Sequence, residues 1–107
     1  MEKLTIVKVG GNVINDAKAL EEFLVDFAAL KGHKILVHGG GKRATKLAED
    51  LGLEATMING RRVTDLATLE IVTMVYAGLL NKNITASLQR SNCNALGLSG
   101  ADGNPDR

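Results

Sequence analysis

Cysteine is almost missing from this chain, and that scarcity bounds the chemistry first. Cys93 stands alone, so no internal disulfide can form, which fits a reducing, cytoplasmic compartment. Aromatic residues are as scarce. Phe23, Phe27 and Tyr76 are the only three, too few for the stacking platforms that single-stranded nucleic acids require. An excess of either charge is lacking too: thirteen Lys and Arg against twelve Asp and Glu leave a formal net charge of +1, which argues against a polyanion as the main partner. The longest apolar run, Ile71 to Leu80, is interrupted by Thr73 and is too short to span a bilayer. The first residues, Met-Glu-Lys-Leu-Thr-Ile-Val, have no secretory layout and read directly as a strand. Internal repeats, low-complexity tracts and linkers are likewise missing. At 107 residues the chain suits one domain but is short for a small-molecule enzyme, so a portion of a larger one is expected.

What is plentiful is glycine, and its placement organises the chain. Lys34-Ile-Leu-Val-His38 has strand character and runs into Gly39-Gly40-Gly41, after which Lys46, Leu47 and Leu51 mark an amphipathic helix. A glycine turn from strand to helix is an anion site: unpaired N–H groups point outward, the helix dipole adds positive charge, and missing Cβ atoms let a ligand touch the main chain. Gly10-Gly11 follows the first strand in the same way. Two such turns on neighbouring parallel strands open at one sheet edge, where open α/β folds hold their ligands. The run is no P-loop, because Gly41-Lys42 is followed by Arg43 and the earlier glycine is missing. Gly39, Gly41 and Ala44 match Gly-x-Gly-x-x-Ala, but a dinucleotide fingerprint belongs on the first strand and wants an acidic residue roughly 20 residues on. The alternative is a purely structural tight turn, for which three glycines in succession are more than needed.

Taken in order, Leu4 to Val9 reads as a strand buried on both faces, with Lys8 as the anomaly. Its ammonium either reaches into the ligand crevice or snorkels to solvent. Asn15 or Asp16 caps a helix reaching about Leu30, with Leu20, Phe23, Leu24, Phe27 and Ala28 on its core face and Gly32 closing it. Strand two, Lys34 to His38, completes a parallel βαβ unit. His38 has no metal-ligand partner at suitable spacing and is expected to hydrogen-bond and shape the turn. Leu53 to Met57 and Arg61 to Val63 flank Asn59-Gly60, a hairpin signal. Either Arg61 or Arg62 can clamp a carboxylate across the glycine edge, or both are solvated. Thr64 or Asp65 caps a helical region to about Arg90, expected to break at Gly78 and Asn81. Its first half has little polar face and suits a subunit interface or a further domain. Asn92 to Leu98 reads as a third parallel strand, and Asp102 is either a functional carboxylate or part of an Asp-Gly turn.

Five motifs stand in order: Lys8-x-Gly10-Gly11, His38-Gly39-Gly40-Gly41, Asn59-Gly60-x-Arg62-Val63-Thr64, Gly78-x-x-Asn81-Lys82 and Gly97-Leu-Ser-Gly100-x-Asp102-Gly103. Together they resemble the acetylglutamate kinases of the amino-acid kinase family. Lys-x-Gly-Gly alone also fits kinases of aspartate, carbamate, uridylate or glutamate; the hairpin motif narrows the choice. The resemblance implies an α/β three-layer sandwich, with a mainly parallel open sheet and a β-hairpin flap. It also implies transfer of the γ-phosphoryl group of ATP to the side-chain carboxylate of N-acetyl-L-glutamate, in arginine biosynthesis. By the same resemblance Lys8 is the transition-state lysine, and Gly10 and Gly11 approach the transferred phosphoryl group. Gly40 and Gly41 are backbone donors to the substrate, and Arg62 holds its α-carboxylate. Mg²⁺ arrives with ATP, and a homodimer forms through the Leu66–Leu80 helix. The family's second half, with the adenine site, another lysine and an orienting aspartate, has no counterpart here, and the ending Pro105-Asp-Arg107 departs from its next strand. Residues 1–107 are therefore expected to be an N-terminal substrate lobe without turnover of its own. The rival readings are a non-catalytic amino-acid or nucleotide-binding module and a non-functional truncated product.

Overall fold

A computed structural model gives the chain an α/β fold and describes residues 3–53, 56–58, 61–63 and 66–103, the 56–58 and 61–63 strands by backbone alone. The expected turn at Asn59-Gly60, the cap at Thr64 or Asp65 and the ending from Pro105 lie outside these residues. Strand β1, Leu4–Val9, pairs in parallel with β2, His33–His38, in a register running from Leu4↔His33 to Val9↔His38. Between them lie a single turn, α1 (Gly11–Ile14), and the longer α2 (Ala17–Ala29). Asp16 takes the cap of α2, accepting hydrogen bonds from the N–H groups of Lys18 and Ala19 at 3.1 and 3.2 Å. The far end is closed by a residue no helix pattern reveals. Lys34, on β2, donates its ammonium to the carbonyls of Phe27, Ala28 and Leu30 at 2.9, 2.8 and 2.6 Å, placing a cation on the negative end of the helix dipole.

Helix α3 (Arg43–Asp50) follows the second glycine turn, and β3 (Thr56–Ile58) and β4 (Arg61–Val63) form an antiparallel hairpin with Met57 opposite Arg62. The core gathers Val9 from β1, Leu24 and Phe27 from α2, and Val75, Ile84 and Leu88 from the helical region beyond the hairpin. Both strands send alternate residues, Val7, Val9 and Leu36 among them, into that core. Their other face is bare, with Leu4, Ile6, Ile35 and Val37 between 45% and 64% exposed. The expectation that Leu4 to Val9 is buried on both faces is thus corrected for the described residues, because the helices pack on one side of the sheet.

The expected break at Gly78 and Asn81 does not occur. Helix α4 (Leu66–Val72) passes into a π-helical stretch, Thr73–Leu80, and on into α5 (Asn81–Arg90), with Val72, Leu80 and Asn81 all in right-handed helical conformation. The helix absorbs its weak point by changing hydrogen-bond register, as when the Asn81 N–H donates to the Tyr76 carbonyl five residues back. Residues five apart, which diverge on an α-helix, then stack on one side. The expected third strand is also corrected. Between Asn92 and Leu98 burial alternates residue by residue, as in a strand, yet no strand pairs with it among the described residues. Side chains of α5 take the place of a ladder: Gln89 Nε2 donates to the Ala95 carbonyl at 3.0 Å, Lys82 Nζ to Gly97 at 2.8 Å and Asn81 Nδ2 to Leu98 at 3.0 Å.

Candidate functional site

Because β1 and β2 are adjacent and parallel, the chain leaves both at one edge, through glycine each time. The two turns touch. A Cβ built on Gly11 would sit 3.9 Å from the Cα of Gly41. Asn15, just after α1, ties them further by accepting a hydrogen bond on Oδ1 from the Lys42 N–H at 2.9 Å. Gly41 has φ +58°, the left-handed region, and any side chain there would also strike Asn15 Oδ1. Gly40 lies against the ring of Tyr76, which occupies the space a Cβ would need. Among the described residues the backbone N–H groups of Gly40, which is buried, and of Gly41, which is half-buried, meet no protein acceptor.

Lys8 stands two residues before Gly10, opposite Val37 in the ladder and exposed at the carboxyl end of β1. Its ammonium has no hydrogen-bond or ion-pair partner among the described residues. Arg62 is placed by its backbone in β4. His38 does shape the turn, with Nδ1 2.8 Å from the Gly39 carbonyl and Nε2 3.3 Å from Asn81 Nδ2. Asp102 belongs to turn chemistry. It closes a capping box on the 3₁₀ turn Gly100–Asp102: Oδ2 accepts from the Ser99 N–H at 2.7 Å and hydroxyl at 3.1 Å, and Ser99 Oγ accepts from the Ala101 N–H at 3.2 Å. The Ser99 backbone bond, then the hydroxyl bond, hold its carboxyl below the usual carboxylate range. Among the described residues no three His, Cys, Asp or Glu side chains gather as a metal site.

Two contributors escape sequence reasoning. Asn15 reads as a helix cap and instead bridges the glycine turns, while Tyr76 reads as helix core and instead supports Gly40. Asn81 is visible in the sequence only as part of a motif and as an expected helix break, not as a partner of His38.

The family model described as the amino acid kinase family matches residues 3–107. The chain belongs to the amino acid kinase family. Its relatives within that family include acetylglutamate kinases from Cytophaga hutchinsonii, 64% identical over 97% of this chain, and Bacteroides fragilis, 59% identical over 96%. A more distant one, from Ehrlichia ruminantium, is 45% identical over 92% of the chain. The chain spans 39%, 40% and 32% of those relatives' own lengths, in their N-terminal portion. A crystal structure of smu.665 from Streptococcus mutans UA159 superposes with a TM-score of 0.61 at 25% identity, over 86% of this chain and 38% of that one. These likenesses agree with an α/β, amino-acid-kinase-like N-terminal half, the fold class that the motifs implied. No helix among the described residues is long and apolar enough to cross a membrane.

Proposed function

We propose that residues 1–107 form the substrate-holding N-terminal lobe of a cytoplasmic acetylglutamate kinase, which phosphorylates the side-chain carboxylate of N-acetyl-L-glutamate with ATP in arginine biosynthesis. The observation that carries this reading is the contact of two glycine turns at one sheet edge, Gly11 against Gly41, with Lys8 at the end of the same strand. In the reaction a carboxylate oxygen attacks the γ-phosphorus, the bond from phosphorus to the β,γ-bridging oxygen breaks, and ADP leaves with the electron pair. The carboxylate is already ionised at neutral pH, so the nucleophile needs no general base. Catalysis then rests on positioning and on neutralising charge.

Each residue has a part in that scheme. Gly10 and Gly11 leave room for the transferred phosphoryl group to approach the main chain, and the Lys8 ammonium offsets charge on its equatorial oxygens. The N–H groups of Gly40 and Gly41 hold the acyl-amino acid, and the planar guanidinium of Arg62 receives its α-carboxylate. Mg²⁺ travels with the triphosphate and lowers its charge. The exposed Leu66, Leu69 and Met74 support a homodimer through the Leu66–Leu80 helix.

A titration of the ¹⁵N-labelled chain with N-acetyl-L-glutamate, followed by a phosphoryl-transfer assay with ATP and Mg²⁺, tests the reading. The amide signals of Gly40 and Gly41 should move, and the chain by itself should not turn over. Unmoved glycine signals, or Lys8-dependent product from this chain alone, would overturn it.

A further inference from the structure

The Gly78-x-x-Asn81-Lys82 motif has no part in the scheme above, yet it reaches the second glycine turn. Asn81 is 7% exposed, at the start of α5. Its carboxamide orientation follows from its partners. The Leu98 carbonyl, 3.0 Å from Nδ2, can only accept; the Lys82 ammonium, 3.1 Å from Oδ1, can only donate. The amino group of Asn81 therefore also faces His38 Nε2, at 3.3 Å, as a donor. Nε2 must accept and carries no proton. On the other side of the ring Nδ1 meets the Gly39 carbonyl at 2.8 Å, which again can only accept, so Nδ1 carries the proton. The partners at both nitrogens thus select the Nδ1–H tautomer of His38.

The consequence lies one peptide unit further on. The Gly39 carbonyl and the Gly40 N–H belong to one planar trans amide and point in opposite directions. A proton fixed on His38 Nδ1 thus fixes where the Gly40 N–H points. Glycine imposes no φ/ψ preference of its own at this position; the His38 bond on one side and the Tyr76 ring against Gly40 supply it.

We infer that Asn81 is a positioning residue: acting through the His38 ring, it aims the Gly40 N–H, the donor that the functional reading above assigns to the substrate. The π-helical register contributes, since it brings Tyr76 and Asn81, five residues apart, to the same turn.

Imidazole nitrogen NMR on the unaltered chain tests the ring directly. The expected result is a proton on Nδ1 and a bare Nε2; a proton on Nε2, or an exchanging mixture, overturns the inference without any variant being made. In Asn81→Ala the single tautomer should give way to a mixture and the Gly40 amide signal should shift, with N-acetyl-L-glutamate binding weakened about tenfold, the order of one hydrogen bond. Asn81→Asp, isosteric but without the amino donor, should place a proton on Nε2. A Gly40 signal unchanged in Asn81→Ala would overturn the inference. The inference rests on the substrate reading only for the ligand's identity. A correct tautomer and a displaced Gly40 signal, with no response to N-acetyl-L-glutamate, would uphold the positioning role and sink the substrate reading.

Discussion

The two glycine turns are alike in sequence and opposite in surroundings. Around Gly10 nothing lies within 4 Å of where a Cβ would be, and at Gly11 the nearest neighbour of such a Cβ, the Cα of Gly41, is at an ordinary contact distance of 3.9 Å. Gly10 has φ −88°, a value any residue adopts. Gly40 and Gly41 are hemmed in by Tyr76, Ile14 and Asn15, and Gly41 is left-handed as well. At Gly40 and Gly41, though not at Gly39, the second turn has no room for a side chain unless its neighbours shift. The first has room for a Cβ at both of its glycines, and an approaching phosphoryl group is the partner proposed for them. Glycine alone marks both turns; the neighbours tell the two reasons apart.

This contrast can be broken by substitution, and the largest effect is expected at Gly40. Gly40→Ala forces the Tyr76 ring aside and should cost about 2–3 kcal/mol in denaturant unfolding. Adding Tyr76→Ala should recover part of that loss, and strict additivity of the two would show that they do not meet. Gly41→Ala should cost about 1–2 kcal/mol from its left-handed backbone, before the collision with Asn15 is added. Asn15→Ala removes the Lys42 N–H bond between the turns and should cost about 1 kcal/mol. At the first turn the order reverses. Gly10→Ala should stay within about 0.5 kcal/mol of the parent in stability, yet slow phosphoryl transfer in a complete enzyme carrying this lobe. A Gly10→Ala protein that unfolds as readily as Gly40→Ala would end the contrast.

The smallest effect is expected at the Ser99–Asp102 capping box, far from either turn in sequence. The folded carboxyl of Asp102 titrates below its ordinary value, so its contribution is present above the ordinary carboxylate range and fades as pH falls through the folded value. Amide signals of residues 99–102 followed through an acid titration should report that loss, and Asp102→Asn should abolish the pH dependence.

Much of this architecture was legible in the residues. The apolar stripe from Leu20 to Ala28, a cap at Asn15 or Asp16, the two strands and their glycine exits all depend on local periodicity and turn chemistry, which are written along the chain. The strand pattern of Asn92 to Leu98 was legible too, as alternating burial, but its hydrogen bonds go to Gln89, Lys82 and Asn81. Pattern reports which way side chains face; it does not report which partner satisfies the backbone. Gly78 misled for a related reason. A glycine with an asparagine beyond it looks like a helix stop, whereas packing of Val75, Leu80 and Ile84 into the core keeps the helix continuous, with the π register accommodating Gly78. Lys34 gave no signal at all, since a lysine in a strand shows nothing of the helix end it caps.

From residues alone one can determine the first two strands and the helix between them, the glycine exits, and family membership through five spaced motifs, because each depends on neighbours in sequence. Only the tertiary structure decided that Gly11 meets Gly41, that Tyr76 backs Gly40 and that Asn81 reaches His38. Those contacts join residues 30 to 43 positions apart in the chain, and their geometry arises when helices and strands pack, not while they form.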